Sequence, residues 1–131
     1  MPLHMTKIAF GAQSFEDIRG WFAGDDAERL LTTRYLPKRH DEMIGGSLYW
    51  VFQHAIVARS PILRFDQQPD GRWGITLENR LIRVEPRAKR NHQGWRYLAE
   101  KDAPRDLADG EQAGDSLPGK MVRELARLGL A

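Results

Sequence analysis

The chain has 131 residues, with 20 Lys and Arg against 18 Asp and Glu for a net charge of +2, a hydrophobic fraction of 41% and no cysteine. That length supports one core and not two, and the lack of cysteine excludes disulfide frameworks, thiolate nucleophiles and Cys-ligated zinc or iron–sulfur centres. No apolar run approaches the roughly 20 residues of a membrane span, and Met1-Pro2-Leu3-His4 lacks a signal peptide's basic start and apolar middle, so a cytoplasmic, bacterial-type protein with no membrane partner is expected.

Taken in chain order, Leu3 to Phe10 reads as a strand ending at Gly11. Ser14 and Asp17 have the spacing of a capping box, and Phe15, Ile18, Trp21 and Phe22 recur at helical spacing up to Gly24. Leu30 to Leu36 is β-rich and stops at Pro37; Lys38 to Ile44 then makes a short helix closed by Gly45-Gly46. The longest β signal runs from Ser47 to Arg59, with large side chains on both faces, which predicts burial on both and buried Trp50 and Ile56. Ile62 to Gln67 and Trp73 to Leu77 are strands joined through Pro69-Asp70-Gly71. Leu81 to Glu85 is a further strand that Pro86 ends. These four segments are expected to share one sheet.

After Leu98 the chain turns acidic and poor in apolar residues, so residues 99–117 are expected to be a loop or linker that contributes little to stability. Met121, Val122, Leu125 and Leu128 fall on one helical face, predicting a C-terminal helix over 118–128. The whole, 1–131, is expected to be a single α+β domain: a small, curved, mostly antiparallel sheet or partly open barrel packed by an N-terminal and a C-terminal helix.

The small net charge conceals a segregation. Between Arg34 and Arg96 there are 12 basic residues against 6 acids, so the flanks are acidic, and arginine outnumbers lysine 15 to 5. The arginine fork suits phosphate recognition. Two stretches stand out. Thr33-Arg34-Tyr35-Leu36-Pro37-Lys38-Arg39 puts cations at a helix start, where they oppose the helix dipole and are not explained by local stability. Glu85 to Leu98 combines Arg87, Lys89, Arg90 and Arg96 with Trp95 and Tyr97, the mixture that holds a phosphate backbone and stacks a base.

Other chemistry finds no motif. His4, His40, His54 and His92 show no i,i+4 pairing, there is no Walker loop and no Gly-x-Gly-x-x-Gly, and Ser47 follows two glycines at a strand start rather than sitting in a nucleophile elbow. No metal and no cofactor is therefore expected.

The chain resembles domain-of-unknown-function family 1489, a group of small alphaproteobacterial proteins. The resemblance rests on Thr33-Arg34, Pro37-Lys38-Arg39, Gly45-Gly46-Ser47-Leu48-Tyr49-Trp50-Val51, Ala58-Arg59, Ile62-Leu63, Glu85-Pro86-Arg87 and Gln93-Gly94-Trp95-Arg96-Tyr97-Leu98. It implies no functional residue, since the family has no assigned activity. His54 stands where the family pattern has a glycine, and Ser60-Pro61 where it has a Gln-Arg pair. The order of a Thr-Arg strand end, a short Pro-Lys-Arg helix, a Gly-Gly turn and a long strand with hairpins is also similar to PUA-like barrels, a likeness of fold only.

The function expected is a non-catalytic module binding RNA or a nucleotide-like ligand, with Arg34, Lys38, Arg39, Arg87, Lys89, Arg90 and Arg96 on phosphates and Trp95 or Tyr97 as the stacking ring. The alternatives are a small enzyme acting on a phosphorylated or acidic metabolite with His54 or His92 as base, and a protein-interaction adaptor using the acidic segment after Leu98.

Overall fold

The computed structural model describes residues 2–92 and 94–107. It is mostly sheet with short helices, in the order β1 (His4–Ile8), α1 (Phe15–Trp21), β2 (Glu28–Thr33), α2 (His40–Met43), β3 (Ser47–Phe52), β4 (Ala55–Gln67), β5 (Trp73–Glu78), β6 (Ile82–Ala88) and β7 (Trp95–Leu98), followed by a 3-10 turn at Glu100–Asp102. The strands lie in the order β2-β5-β4-β3-β1-β7, with β6 on β4. Among the described residues only β1 and β3 pair in parallel. No pairing among the described residues joins β2 to β7, so the sheet is open. The predicted helix over 118–128 and residues 108–117 of the predicted linker lie outside the described residues.

The segment read as one strand over 47–59 is two. The chain reverses at Gln53 and His54, which both take positive φ, +50° and +61°, the conformation of a two-residue hairpin turn. Neither residue is a glycine or asparagine, so the usual turn signal is missing from the sequence. The second arm then continues without a break through Pro61 to Gln67 as β4. Pro61 is tolerated because the Ile62 amide points to the β3 side, where it donates to the Gly46 carbonyl at 2.9 Å. The missing N–H of Pro61 therefore faces the opposite edge, in the gap between the last β6 pair, at Arg59, and the first β5 pair, at Ile62. Pro86 likewise does not end its strand: it falls in a bulge where residues 84–86 of β6 face Val57 alone. The helix expected over 38–44 is shortened to His40–Met43.

β4 thus runs through both halves of the sheet and bends where the register slips near Val57 and Leu63. One face carries a core of Met5, Ile18, Met43, Leu48, Trp50, Ile62, Ile75 and Leu77. α1 closes that face; the Ser14 hydroxyl caps it by accepting the Asp17 amide, and Ile18 points inward. The other face has a smaller core of Tyr49, Val51, Ile56, Val84 and Leu98. This is the burial on both sides that the β3 pattern predicts, and Trp50 and Ile56 are 2% and 1% exposed. Residues 99–107 lie over the second core: Ala103 packs on it, and Glu85 N donates to Arg105 O and Leu107 N to Arg83 O, both at 2.9 Å.

Candidate functional site

The two basic stretches meet at β7. The Arg39 amide donates to the Tyr97 hydroxyl at 3.2 Å, and the Arg39 guanidinium lies over the Tyr97 ring, 5.7 Å from its centre. A groove of about 420 Å³ beside that ring is lined by Lys89, Arg90, Asn91, His92, Arg96 and Tyr97. β7 pairs Tyr97 with Met5 and Arg96 with Thr6 on β1, so the ring and the guanidinium leave opposite faces of an edge strand.

The loop from Lys89 to His92 is held by contacts to the β3–β4 hairpin. Lys89 N donates to the His54 carbonyl at 2.8 Å, Asn91 N to His54 Nδ1 at 3.2 Å, and His54 N to Asn91 Oδ1 at 3.3 Å. His92 is anchored separately through Nε2 to Thr6 Oγ1 at 2.9 Å. A second cavity of about 540 Å³ adjoins the groove through Asn91 and is lined by Phe10, Gly11, Phe52, Gln53 and His54 among others. Among the described residues no carboxylate lines either of these cavities, so His54, one of the bases considered for an enzyme, finds no acid in the walls around it. His54 instead orients the basic loop.

The nine residues singled out from the sequence are distributed unevenly. Lys89, Arg90, Arg96 and Tyr97 line the groove and Arg39 adjoins it. Arg39 is also held by Glu42 through two 2.7 Å bonds, which raise its pKa and hold the Glu42 carboxyl below its ordinary value. Lys38 is exposed beside it. Arg34 is exposed in the bend after β2, and Arg87 on β6 donates to the Asp102 carbonyl at 2.7 Å. Among the described residues no carboxylate pairs with Arg34, Lys38, Lys89 or Arg90.

Of the two candidate rings, Trp95 is half-buried against the main core, with its ring edge-on to Tyr97 at 4.8 Å, whereas Tyr97 is 39% exposed. Tyr97 is the available platform. Three further exposed rings were not predicted as binders: Tyr35 at 73%, next to Arg34, Phe10 at 89%, on the rim of the second cavity, and Trp21 at 37%, edge-on to Trp50. Tyr35 lies inside a quoted basic stretch and was legible as a ring among cations; Phe10 sits at the end of a strand and carries no such signal.

No group of three or more His, Cys, Asp or Glu able to hold a metal occurs among the described residues, and no described helix is long and apolar enough to cross a membrane. Searches of curated proteins and of solved structures find no match to the chain. The model of a family described as Protein of unknown function (DUF1489) matches residues 5–131, and the chain belongs to that family.

Proposed function

We propose that the protein binds single-stranded RNA or a nucleotide-like phosphate ligand along the groove at Tyr97, with Lys38, Lys89, Arg90 and Arg96 on phosphates and the Tyr97 ring under a base. The observation that carries this reading is the placement of a partly exposed ring at the edge of a groove whose cations include Lys89 and Arg90, neither held by a described carboxylate. A protein meets a flexible phosphate chain with just such a combination of stacking and charge. Arg39 acts as a positioning residue, because Glu42 already takes its fork and its amide fixes the Tyr97 hydroxyl. The sequence order of a Thr-Arg strand end, a Pro-Lys-Arg corner and a Gly-Gly turn before β3, similar to that of PUA-like barrels, supports reading the protein as a bacterial, cytoplasmic RNA-binding module. Fluorescence anisotropy of a labelled single-stranded oligonucleotide tests the reading: saturable binding by the natural protein, and its loss in a variant with Lys89 and Arg90 both changed to Glu, are expected. Equal binding by the two proteins would refute it.

A further inference from the structure

On the face with the smaller core, four distant segments bring polar side chains to a cavity of about 460 Å³ under residues 99–107. Gly46 makes this possible. A Cβ there would collide with the Leu3 carbonyl oxygen, so only glycine lets the two backbones cross this closely. The crossing sets the Ser47 amide against His4, whose Nδ1 accepts it at 2.9 Å. That nitrogen therefore carries no proton, and the proton of the neutral ring is on Nε2, which pairs with Glu100. Ser47 Oγ accepts from Arg59 Nη1 at 2.7 Å, and Arg59 Nε and Nη2 both donate to Asp106 at 2.7 Å. Tyr49 stands edge-on to His4, with ring centres 5.1 Å apart.

Two sets of hydrogen-bond donors in this cavity have no protein acceptor. One oxygen of Glu100 is engaged by His4, and both Asp106 oxygens by Arg59. Tyr49 is only 4% exposed, lines the cavity, and its hydroxyl has no hydrogen-bond partner among the described residues. Burial pushes the Tyr49 pKa up to about 12, so the hydroxyl keeps its proton at neutral pH. Arg59 has five N–H groups and spends three, which leaves two. Both sets are open to the cavity, and an acceptor-only group entering it satisfies both. Glu100 and Asp106 in the wall disfavour a second negative charge, and Asp106 already demonstrates that a carboxylate fits the Arg59 fork.

We propose that this cavity is a binding site for a small monocarboxylate, held by the Tyr49 hydroxyl and by the N–H groups of Arg59 that Ser47 and Asp106 leave free. It is separate from the groove at Tyr97 and uses none of its residues.

Titration of acetate into isotope-labelled full-length protein, followed at the Arg59 Nε–Hε and Tyr49 ring resonances by NMR, tests this. Acetate is expected to give a saturable shift at both residues, with chloride at equal ionic strength giving none. Tyr49→Phe removes only the hydroxyl and is expected to weaken acetate roughly tenfold, the worth of one hydrogen bond to an anion. Asp106→Asn removes a negative charge from the cavity wall and is expected to tighten acetate by a similar factor, with the Glu85 and Leu107 amides reporting whether 99–107 stays in place. Should that variant detach the segment, Tyr49→Phe decides alone. Tyr97→Ala is expected to leave the acetate shifts unchanged while impairing oligonucleotide binding, which separates the two sites. Absence of a saturable acetate shift up to about 100 mM, an unaltered affinity in Tyr49→Phe, or inorganic phosphate binding more tightly than acetate would overturn the proposal.

Discussion

The backbone amide of Arg39 donates to the Tyr97 hydroxyl at 3.2 Å, joining the corner before α2 to edge strand β7 across 58 positions of sequence. Through it the ring is held at its polar end, with the Arg39 guanidinium over it and Trp95 edge-on beside it, while the residue stays partly exposed. Tyr97→Ala is expected to cost roughly 1 to 3 kcal/mol of oligonucleotide binding, the range for one base–ring stack, while leaving the salt dependence nearly unchanged. Tyr97→Phe keeps the ring and is expected to retain most of the affinity. Anisotropy titrations of both variants check this.

Trp95 differs from Tyr97 because its ring packs against the main core. Trp95→Ala is expected to lower stability by about 2 kcal/mol through lost apolar burial, and to affect binding only as far as β7 loosens. Denaturant unfolding of Trp95→Ala beside Tyr97→Ala measures the contrast: the first midpoint falls, the second moves little.

The hairpin turn at Gln53 and His54 holds two ordinary L-residues at positive φ. Gln53→Asn substitutes a residue that tolerates this region at the first turn position and is expected to stabilise the fold by about 0.5 to 1 kcal/mol. His54→Gly relieves the second position but removes the Nδ1 acceptor of the Asn91 amide. It is therefore expected to stabilise the hairpin yet loosen the 89–92 loop, visible as faster amide exchange at Asn91.

In the main core Trp50 Nε1 donates to Ser60 Oγ at 3.1 Å, and both residues are buried. Ser60→Ala leaves the indole N–H without its acceptor and is expected to cost about 1 to 3 kcal/mol. A double-mutant cycle with Trp50→Phe checks the pairing: the two losses are expected to be less than additive.

Arg59 holds the Asp106 carboxyl below the ordinary aspartate value, chiefly by their hydrogen bonds. A carboxylate whose folded pKa lies below its unfolded one stabilises fully above the unfolded value, and that contribution disappears as the pH falls through the folded one. Residues 99–107 are thus expected to release on acidification, with the Glu85 and Leu107 amides losing exchange protection first. In Asp106→Asn the protection is expected to be lower at neutral pH and to lose this acid dependence.

Much of the sheet was legible because alternation and turn chemistry agree: Trp73 to Leu77, the Pro69-Asp70-Gly71 turn and the buried Tyr49-Trp50-Val51 triplet all follow from the pattern. The reversal at Gln53-His54 was not, since a positive φ there is imposed by strand pairing rather than by a glycine. Strands 47–59 and 62–67 read as separate because a sequence does not reveal which edge at Pro61 is unpaired, and Pro86 read as a strand end because it does not reveal a bulge. Of the residues proposed to bind, the charges of 87–96 were legible as composition, but the choice of Tyr97 over Trp95 depends on which ring meets the core. The cluster of His4, Ser47, Tyr49, Arg59, Glu100 and Asp106 carried no motif, since its members are joined by the parallel pairing of β1 with β3, the pairing of Tyr49 with Arg59 across β3 and β4, and the return of 99–107.

The salt dependence of oligonucleotide binding tests the central claim most directly. With Lys38, Lys89, Arg90 and Arg96 neutralising about four phosphates of a single strand, the log–log slope is expected near −2.8, so affinity falls roughly 50-fold from about 50 to about 200 mM salt. Arg90→Ala is expected to reduce the slope by about 0.7 and to weaken all sequences alike. A slope near zero, or no binding of single-stranded RNA at about 50 mM salt with micromolar protein, would contradict the account.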